Sequence, residues 1–223
     1  RGDVNDEGYV DGLTSALAVD KIKALAMGQE KPFFLAVGFF KPHLPFNAPQ
    51  KYWDLYDEEK LTLTPSPQIP ENINTASLHQ SGELSGYRLG EEKPSLKNPV
   101  SDAYARKLRH AYYAGVSYID AQIGKVLDAL KESGLEKNTI VVLWGDHGWH
   151  LGDDRVWGKH TLTDWSLRSA FMIKTPEMTK ARVCNKVISA VDVYPTLMEL
   201  CDLQMPDVNA DGRSLVPLIR KTN

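Results

Sequence analysis

The chain has 223 residues, 42% hydrophobic and 25% charged, with a net charge of −3. That profile fits an ordinary globular chain, long enough for one sizeable core or two small ones. The slight acidic balance and the scatter of Lys and Arg exclude the basic face of a nucleic-acid binder, and no apolar run approaches the roughly 20 residues that cross a bilayer.

The chain opens RGDVNDEGYV, with neither Met nor an apolar leader. This start reads as internal, so a piece of a longer protein is expected. Arg1 to Asp3 spell RGD, which here reads as a polar chain end rather than an integrin ligand. From Asp11, Leu13, Leu17, Ile22, Leu25 and Ala26 fall close to a helical stripe. Lys31 to Phe39 is a continuous apolar run and predicts a strand buried on both faces. KPHLPFNAP follows, with three prolines in nine residues, and excludes regular structure. From Leu61 to Pro99 no period is sustained, which predicts a surface excursion with little regular structure.

The clearest helix begins after Ser101, a good N-cap, and stops at Gly134. Leu108, Tyr112, Val116, Ile119, Ile123, Leu127 and Leu130 recur along it at three- and four-residue steps. NTIVVLWG then predicts a buried strand, SAFMIKTP a second, and a last helix starts near Val193 with Pro195 in its first turn. Cys184 and Cys201 make neither a zinc pattern nor a disulfide framework, and no N-x-S/T sequon is present.

Apolar strands alternating with helices predict an α/β layered sandwich, with a largely parallel or mixed sheet between helices. Sites in such sheets gather at the carboxyl ends of the strands. Two polar loops come directly after two predicted strands, so they are expected to share one rim.

The first loop carries His43 between Pro42 and Pro45. A frozen backbone suits a catalytic imidazole, and equally a rigid connector. The second is WGDHGWH, Trp144 to His150. Asp146 held between glycines reaches a metal with little obstruction; a capping Asp beside a hydrogen-bonded His147 is the plainer reading of DHG alone. The loop continues WHLGDDRVWGKH and adds Trp149, His150, Trp157, Lys159 and His160. Packing accounts for the tryptophans. A compact ammonium at Lys159 also suits a tetrahedral oxyanion.

GDHGWHLGDDRVWGKHTL resembles the second signature region of the sulfatases, in the alkaline-phosphatase-like superfamily. KPFFLAVGFFKPHLPFNAPQKYWDLY resembles the matching segment of the iduronate-2-sulfatase-like branch. VDVYPTLMELCDLQMPDVNADGRSLVPLI is similar to the segment that closes the family's large domain. The three occur in family order and span nearly the whole chain.

The resemblance implies roles residue by residue. Asp146 matches a calcium-coordinating aspartate. His147 takes the adjacent metal-site position, where many relatives have Asn, so metal identity and direct ligation by His147 stay open. His43 matches a histidine near the bridging ester oxygen, a candidate general acid. Lys159 matches a lysine that contacts sulfate, and Lys159, His43 and His150 are the expected substrate contacts.

The family's C-x-P-S-R or S-x-P-S-R motif, which matures to the formylglycine nucleophile, is absent, and so is its N-terminal pair of metal-binding aspartates. Residues 1–223 are therefore expected to be the later part of a sulfatase catalytic domain, with calcium as cofactor and formylglycine supplied by an N-terminal part of the same protein. The implied reaction is removal of sulfate from a glycosaminoglycan uronic acid. A superfamily phosphodiesterase or phosphonate hydrolase, and a non-catalytic glycan-binding relative, are the alternatives. The expected partner is a sulfated carbohydrate, with no nucleic acid and no membrane. The expected location is periplasmic or secreted in a bacterium, lysosomal in a eukaryote.

Overall fold

The structure is a computed structural model that describes residues 2–28, 31–87, 91–206 and 208–220. In chain order the elements are α1 (Val10–Met27), α2 (Gln50–Trp53), α3 (Gly82–Tyr87), α4 (Asp102–Glu132), β1 (Val141–Trp144), β2 (His150–Leu151), β3 (Trp157–Gly158), α5 (Asp164–Leu167), β4 (Phe171–Lys174), α6 (Val193–Leu200) and α7 (Val216–Arg220). The chain divides into two compact units, Arg1–Pro176 and Glu177–Asn223. Among the described residues no helix is long and apolar enough to cross a membrane.

The first unit is built on α4. Ser101 caps it, its hydroxyl accepting the Tyr104 N–H at 3.2 Å, and Gly134 ends it in the left-handed region at φ 75°. The face α4 buries differs from the stripe of large apolar residues. Val116 and Leu127 are exposed, whereas Leu108, Ala111, Ala114, Tyr118, Gln122 and Ala129 are buried. Small residues on this face let α1 and α2 approach closely. The polar members find partners there: Gly12 N–H donates to Tyr118 Oη at 2.6 Å, and Ser15 Oγ donates to the Gln122 carbonyl at 3.2 Å. Ile22 of α1 packs with Ala129 and Leu130 below them.

Asp6, just before α1, closes this interface. Its carboxylate accepts from Tyr52 Oη at 2.9 Å, Lys125 at 2.6 Å and Lys51 at 2.8 Å. Burial alone would raise the carboxyl. Bonds from Lys125, Lys51, Gln122 and Tyr52 override it and hold the group well below the usual carboxylate range.

The sheets are smaller than the sequence predicts, and their strands run in opposite directions. β1 pairs antiparallel with β4, Val141 opposite Lys174 and Trp144 opposite Phe171; β2 pairs antiparallel with β3. The expected parallel layer is absent among the described residues, because residues 31–39 join no ladder. Burial alternates along them. Phe33 and Leu35 pack on the Ile22–Leu130 cluster and Phe39 on the Tyr52–Tyr118 cluster, while Phe34 is 84% exposed. β1 is likewise only half covered, with Trp144 exposed.

Among the described residues of 61–99, regular structure amounts to a 3₁₀ turn at Thr75–Ser77 and the six-residue α3, so the stretch lacks long elements as expected. It is not a free excursion. Leu78, Leu84 and Leu96 are buried, and Arg155 fastens the stretch by donating to the Leu96 carbonyl and to Gln68 Oε1, both at 3.1 Å.

In the second unit α6 begins at Val193, as the sequence predicts. Thr196 Oγ1 donates to the Asp192 carbonyl at 2.6 Å and accepts the Leu215 N–H at 2.8 Å, which ties the segment before α7 to α6.

The folded carboxyl of Asp6 lies below its unfolded value of 3.8, so its stabilisation is complete above that pH and is lost as pH falls below it. Asp6→Asn should lower the unfolding free energy by about 2 kcal/mol at neutral pH. In urea titrations the gap to the parent chain should start to narrow as pH falls below 3.8 and close only well below the usual carboxylate range, where the folded carboxyl takes up its proton; a gap independent of pH would contradict the assigned ionisation.

Candidate active site

The His43 loop is held from α1. Asp11, 2% exposed, accepts the Phe40 N–H at 2.6 Å and the Lys41 N–H at 3.1 Å. Lys41 curls back and donates to the carbonyls of His43 at 3.0 Å and Pro45 at 2.7 Å. Burial lowers the Lys41 amine, and the Asp11 charge opposes that shift. The cis bonds before Pro42 and Pro45 bracket His43. Leu44 anchors the loop in a cluster with Leu84, Tyr104, Leu108 and Trp157. His43 Nδ1 lies 2.8 Å from the Leu44 carbonyl, which can only accept, so Nδ1 carries a proton and Nε2 is left for the site.

The GDHG loop leaves β1. Gly145 N–H donates to the Ala170 carbonyl at 2.8 Å and extends the ladder by one bond. Asp146 comes next, its side chain 80% exposed. His147 Nδ1 sits 2.7 Å from the Gly148 carbonyl, and its Nε2 faces Asp146 Oδ2 at 3.6 Å. Gly148 is fixed by close backbone approach. A Cβ there would stand 2.2 Å from the Trp165 carbonyl oxygen and 2.6 Å from that of Arg168.

The loop then turns inward. His150 is fully buried. Its Nδ1 donates to the Asp153 carbonyl at 3.0 Å, and its Nε2 lies 2.9 Å from Thr161 Oγ1 and 3.0 Å from Thr163 Oγ1. Burial pushes the imidazole below its ordinary value, against the pull of the Asp153 carbonyl and the Asp154 and Asp153 carboxylates. Both ring nitrogens of His150, expected to contact substrate, thus face groups of the loop itself. Gly158, at φ 150°, lets the His79 ring lie against it, 2.7 Å from where a Cβ would be, and delivers Lys159 to the surface of the loop. His160 is exposed and meets the His79 ring at 5.8 Å.

The remaining sequence-derived residues meet around Trp149. Lys159 Nζ lies 5.3 Å from the indole centre, the His43 ring at 6.1 Å and the His147 ring at 6.2 Å. Asp146 joins through His147. Lys159 Nζ is 2.7 Å from His43 Nε2. The sequence carries two marks of this arrangement, the rigid KPH and the glycine-framed DHG. It carries none of Glu83, whose Oε1 lies 3.1 Å from His43 Nε2 and 3.2 Å from Lys159 Nζ. Glu83 sits in the aperiodic stretch, where no spacing singles it out. Two unit charges at the 2.7 Å separation of His43 and Lys159 repel by about 6 kcal/mol at an effective dielectric of about 20. The Glu83 carboxylate attracts each by a similar amount.

Asp146 and His147 supply one carboxylate and one ring nitrogen. Among the described residues no group of three or more His, Cys, Asp or Glu is placed to hold a metal ion. Calcium takes six to eight oxygen ligands, so these two residues alone do not fit a calcium ion.

A family model described as Sulfatase matches residues 3–203. The chain belongs to the sulfatase family. It is 35% identical over 199 residues to a sulfatase of Formosa agariphila, covering 86% of this chain and 36% of that protein. It is 31% identical over 218 residues to iduronate 2-sulfatase of Mus musculus, covering 84% and 38%. Among solved structures, phosphonate monoester hydrolase SpPMH from Silicibacter pomeroyi superposes with a TM-score of 0.80 at 26% identity, over 96% of this chain and 42% of that one. The chain thus spans well under half the length of these relatives. The sulfatase match runs through both the His43 and the GDHG loops, and the α/β neighbours agree with the mixed helix and strand content.

Gly148→Ala should destabilise the chain by about 1–3 kcal/mol, because the new methyl meets two carbonyl oxygens that cannot both retreat. Thermal unfolding followed by circular dichroism measures it, and a fall of less than about 0.5 kcal/mol would show that the Trp165–Arg168 backbone yields.

Proposed function

We propose that the protein containing this chain is a sulfuric ester hydrolase, and that residues 1–223 are the later part of its catalytic domain. The His43–Lys159 pair beside Trp149, 2.7 Å apart in a chain of the sulfatase family, carries the reading.

A sulfate monoester is a tetrahedral anion that repels nucleophiles. Lys159 donates to a sulfate oxygen and offsets that charge, from a loop fixed by the buried His150. His43, its tautomer set by the Leu44 carbonyl, presents Nε2–H to the bridging oxygen and protonates it as the alcohol departs. Asp146 and His147 are this chain's share of a divalent-cation site whose other ligands come from outside it. A formylglycine held by a segment outside residues 1–223 would supply the nucleophile of such a reaction. The indole of Trp149 offers the apolar surface on which a sugar ring rests.

Likeness to iduronate 2-sulfatase supports a sulfated uronic acid of a glycosaminoglycan as the substrate. The location that goes with this is periplasmic or secreted in a bacterium and lysosomal in a eukaryote. A second reading, hydrolysis of phosphonate or phosphate esters, is favoured by the likeness to SpPMH.

The full-length protein should release sulfate from a 2-sulfated uronic-acid disaccharide, and Lys159→Ala should lower kcat by roughly 10²–10³-fold. Release of phosphate or phosphonate without any sulfate would establish the second reading; binding of sulfated sugars without turnover would establish a glycan-binding protein instead.

Residues 1–223 alone should bind calcium more weakly than about 1 μM in calorimetry, since two donors leave most of the ion's shell to water. Sub-micromolar affinity would mean that other carboxylates of this chain complete the site.

A further inference from the structure

We infer that Glu83 is a positioning residue that lets His43 and Lys159 carry charge side by side; the inference rests on the sulfatase reading above. Two nitrogens 2.7 Å apart in this geometry are easily held only if one accepts from the other. His43 Nδ1 already donates to the Leu44 carbonyl, so without a third group the stable state is neutral His43, its Nε2 lone pair filled by a Lys159 N–H. In that state His43 has no proton to give.

Glu83 Oε1 changes the balance, because it lies within hydrogen-bond distance of both nitrogens, 3.1 Å from His43 and 3.2 Å from Lys159. It accepts from both at once and offsets the mutual repulsion of imidazolium and ammonium. The charged groups around the ring are Glu83 and Lys159, with Lys41 bonded to the His43 carbonyl. Glu83 Oε2 is buried and has no partner among the described residues, so no other donor draws the carboxylate away.

The carboxylate is also fixed in place. Leu84 is buried in the cluster that holds Leu44, the neighbour of His43. On the other side Ser81 is buried, takes a left-handed backbone at φ 55°, and accepts the Trp157 N–H at 2.9 Å. The two anchors join Glu83 to both loops it serves.

The triangle serves both halves of the proton transfer. Before substrate enters, His43 Nε2–H and Lys159 both donate to Glu83 Oε1; the bridging oxygen of the bound ester then takes the Nε2–H in place of Glu83. As the nucleophile forms its bond to sulfur, the S–O ester bond breaks and its electron pair goes to the bridging oxygen. The Nε2 proton moves to that oxygen and the alcohol leaves. His43, now neutral, turns its lone pair to Lys159. Glu83 neither gains nor loses a proton.

Leaving-group dependence in the full-length protein tests this. A sugar sulfate leaves as a basic alkoxide and needs the proton; 4-nitrophenyl sulfate leaves as a stable phenolate and does not. Glu83→Gln should lower kcat on the sugar sulfate by roughly 10²-fold, stay within about threefold on 4-nitrophenyl sulfate, and be partly rescued by Glu83→Asp. Equal losses on both esters, or no loss on either, would overturn the inference.

If the parent protein hydrolyses neither ester, the sulfatase reading fails, and nitrogen-15 spectra of the 223-residue chain still decide the role of Glu83. The parent should show both His43 ring nitrogens protonated and Glu83→Gln only Nδ1, with the buried His150 unchanged. Identical His43 spectra in the two chains would refute it.

Discussion

A buried carboxylate at the start of α1 joins the helical layer to the chemistry. Asp11 has both oxygens committed to the backbone of Phe40 and Lys41, two residues ahead of His43. The helix is fixed in turn by α4, through Tyr118, Gln122 and the Asp6 cluster. Anything that shifts α1 along α4 therefore shifts the imidazole. Asp11, Asp6, Tyr118 and Gln122 are buried, so none of them can trade its partner for water without a large loss. The position of His43 is thus set by hydrogen bonds that the interior keeps in place, and flexibility of the proline-rich loop has little part in it.

The second constraint comes from a stretch without regular structure. Residues 61–99 brace the signature loop at successive points: Thr64 on Asp153, the Ser66 carbonyl on the Asp154 N–H, the Leu96 carbonyl on Arg155, Ser81 on Trp157 and Glu83 on Lys159. A loop that must hold Lys159 and Trp149 in place has no ladder of its own beyond the two residue pairs of β2 and β3. Its order is borrowed from this brace and from His150, whose burial between Asp153 and two threonines pins the loop from within. Here an irregular segment takes the part usually given to a strand.

Much of this is legible in the residues, for identifiable reasons. Ser101 and Gly134 bound α4 because capping is local chemistry, and KPH and GDHG stand out because rigid or glycine-framed polar residues after apolar runs are uncommon. The resemblance to sulfatases rests on the same stretches. Other features depend on distant partners and leave no local trace. Glu83 is one acidic residue in an aperiodic stretch, and its meaning lies in His43 and Lys159, residues far away in the sequence. His150 suggests a ligand contact because imidazoles are versatile; two hydroxyls and a carbonyl, invisible in the spacing, take both its nitrogens. The buried face of α4 escapes a count of large apolar residues, because close helix packing is carried by Ala111 and Ala114. The parallel sheet is inferred from apolar runs, and an apolar run states only that cover is wanted, without naming the strand that gives it.

In residues 31–39 that want is unmet. One row of side chains is packed, the opposite row holds Phe34 in solvent, and the backbone between them joins no ladder among the described residues. An apolar stretch of this kind, packed on one side and bare on the other, is covered only by half. Each uncovered side chain of that row keeps apolar surface in water, so the stretch holds free energy that further covering chain would recover.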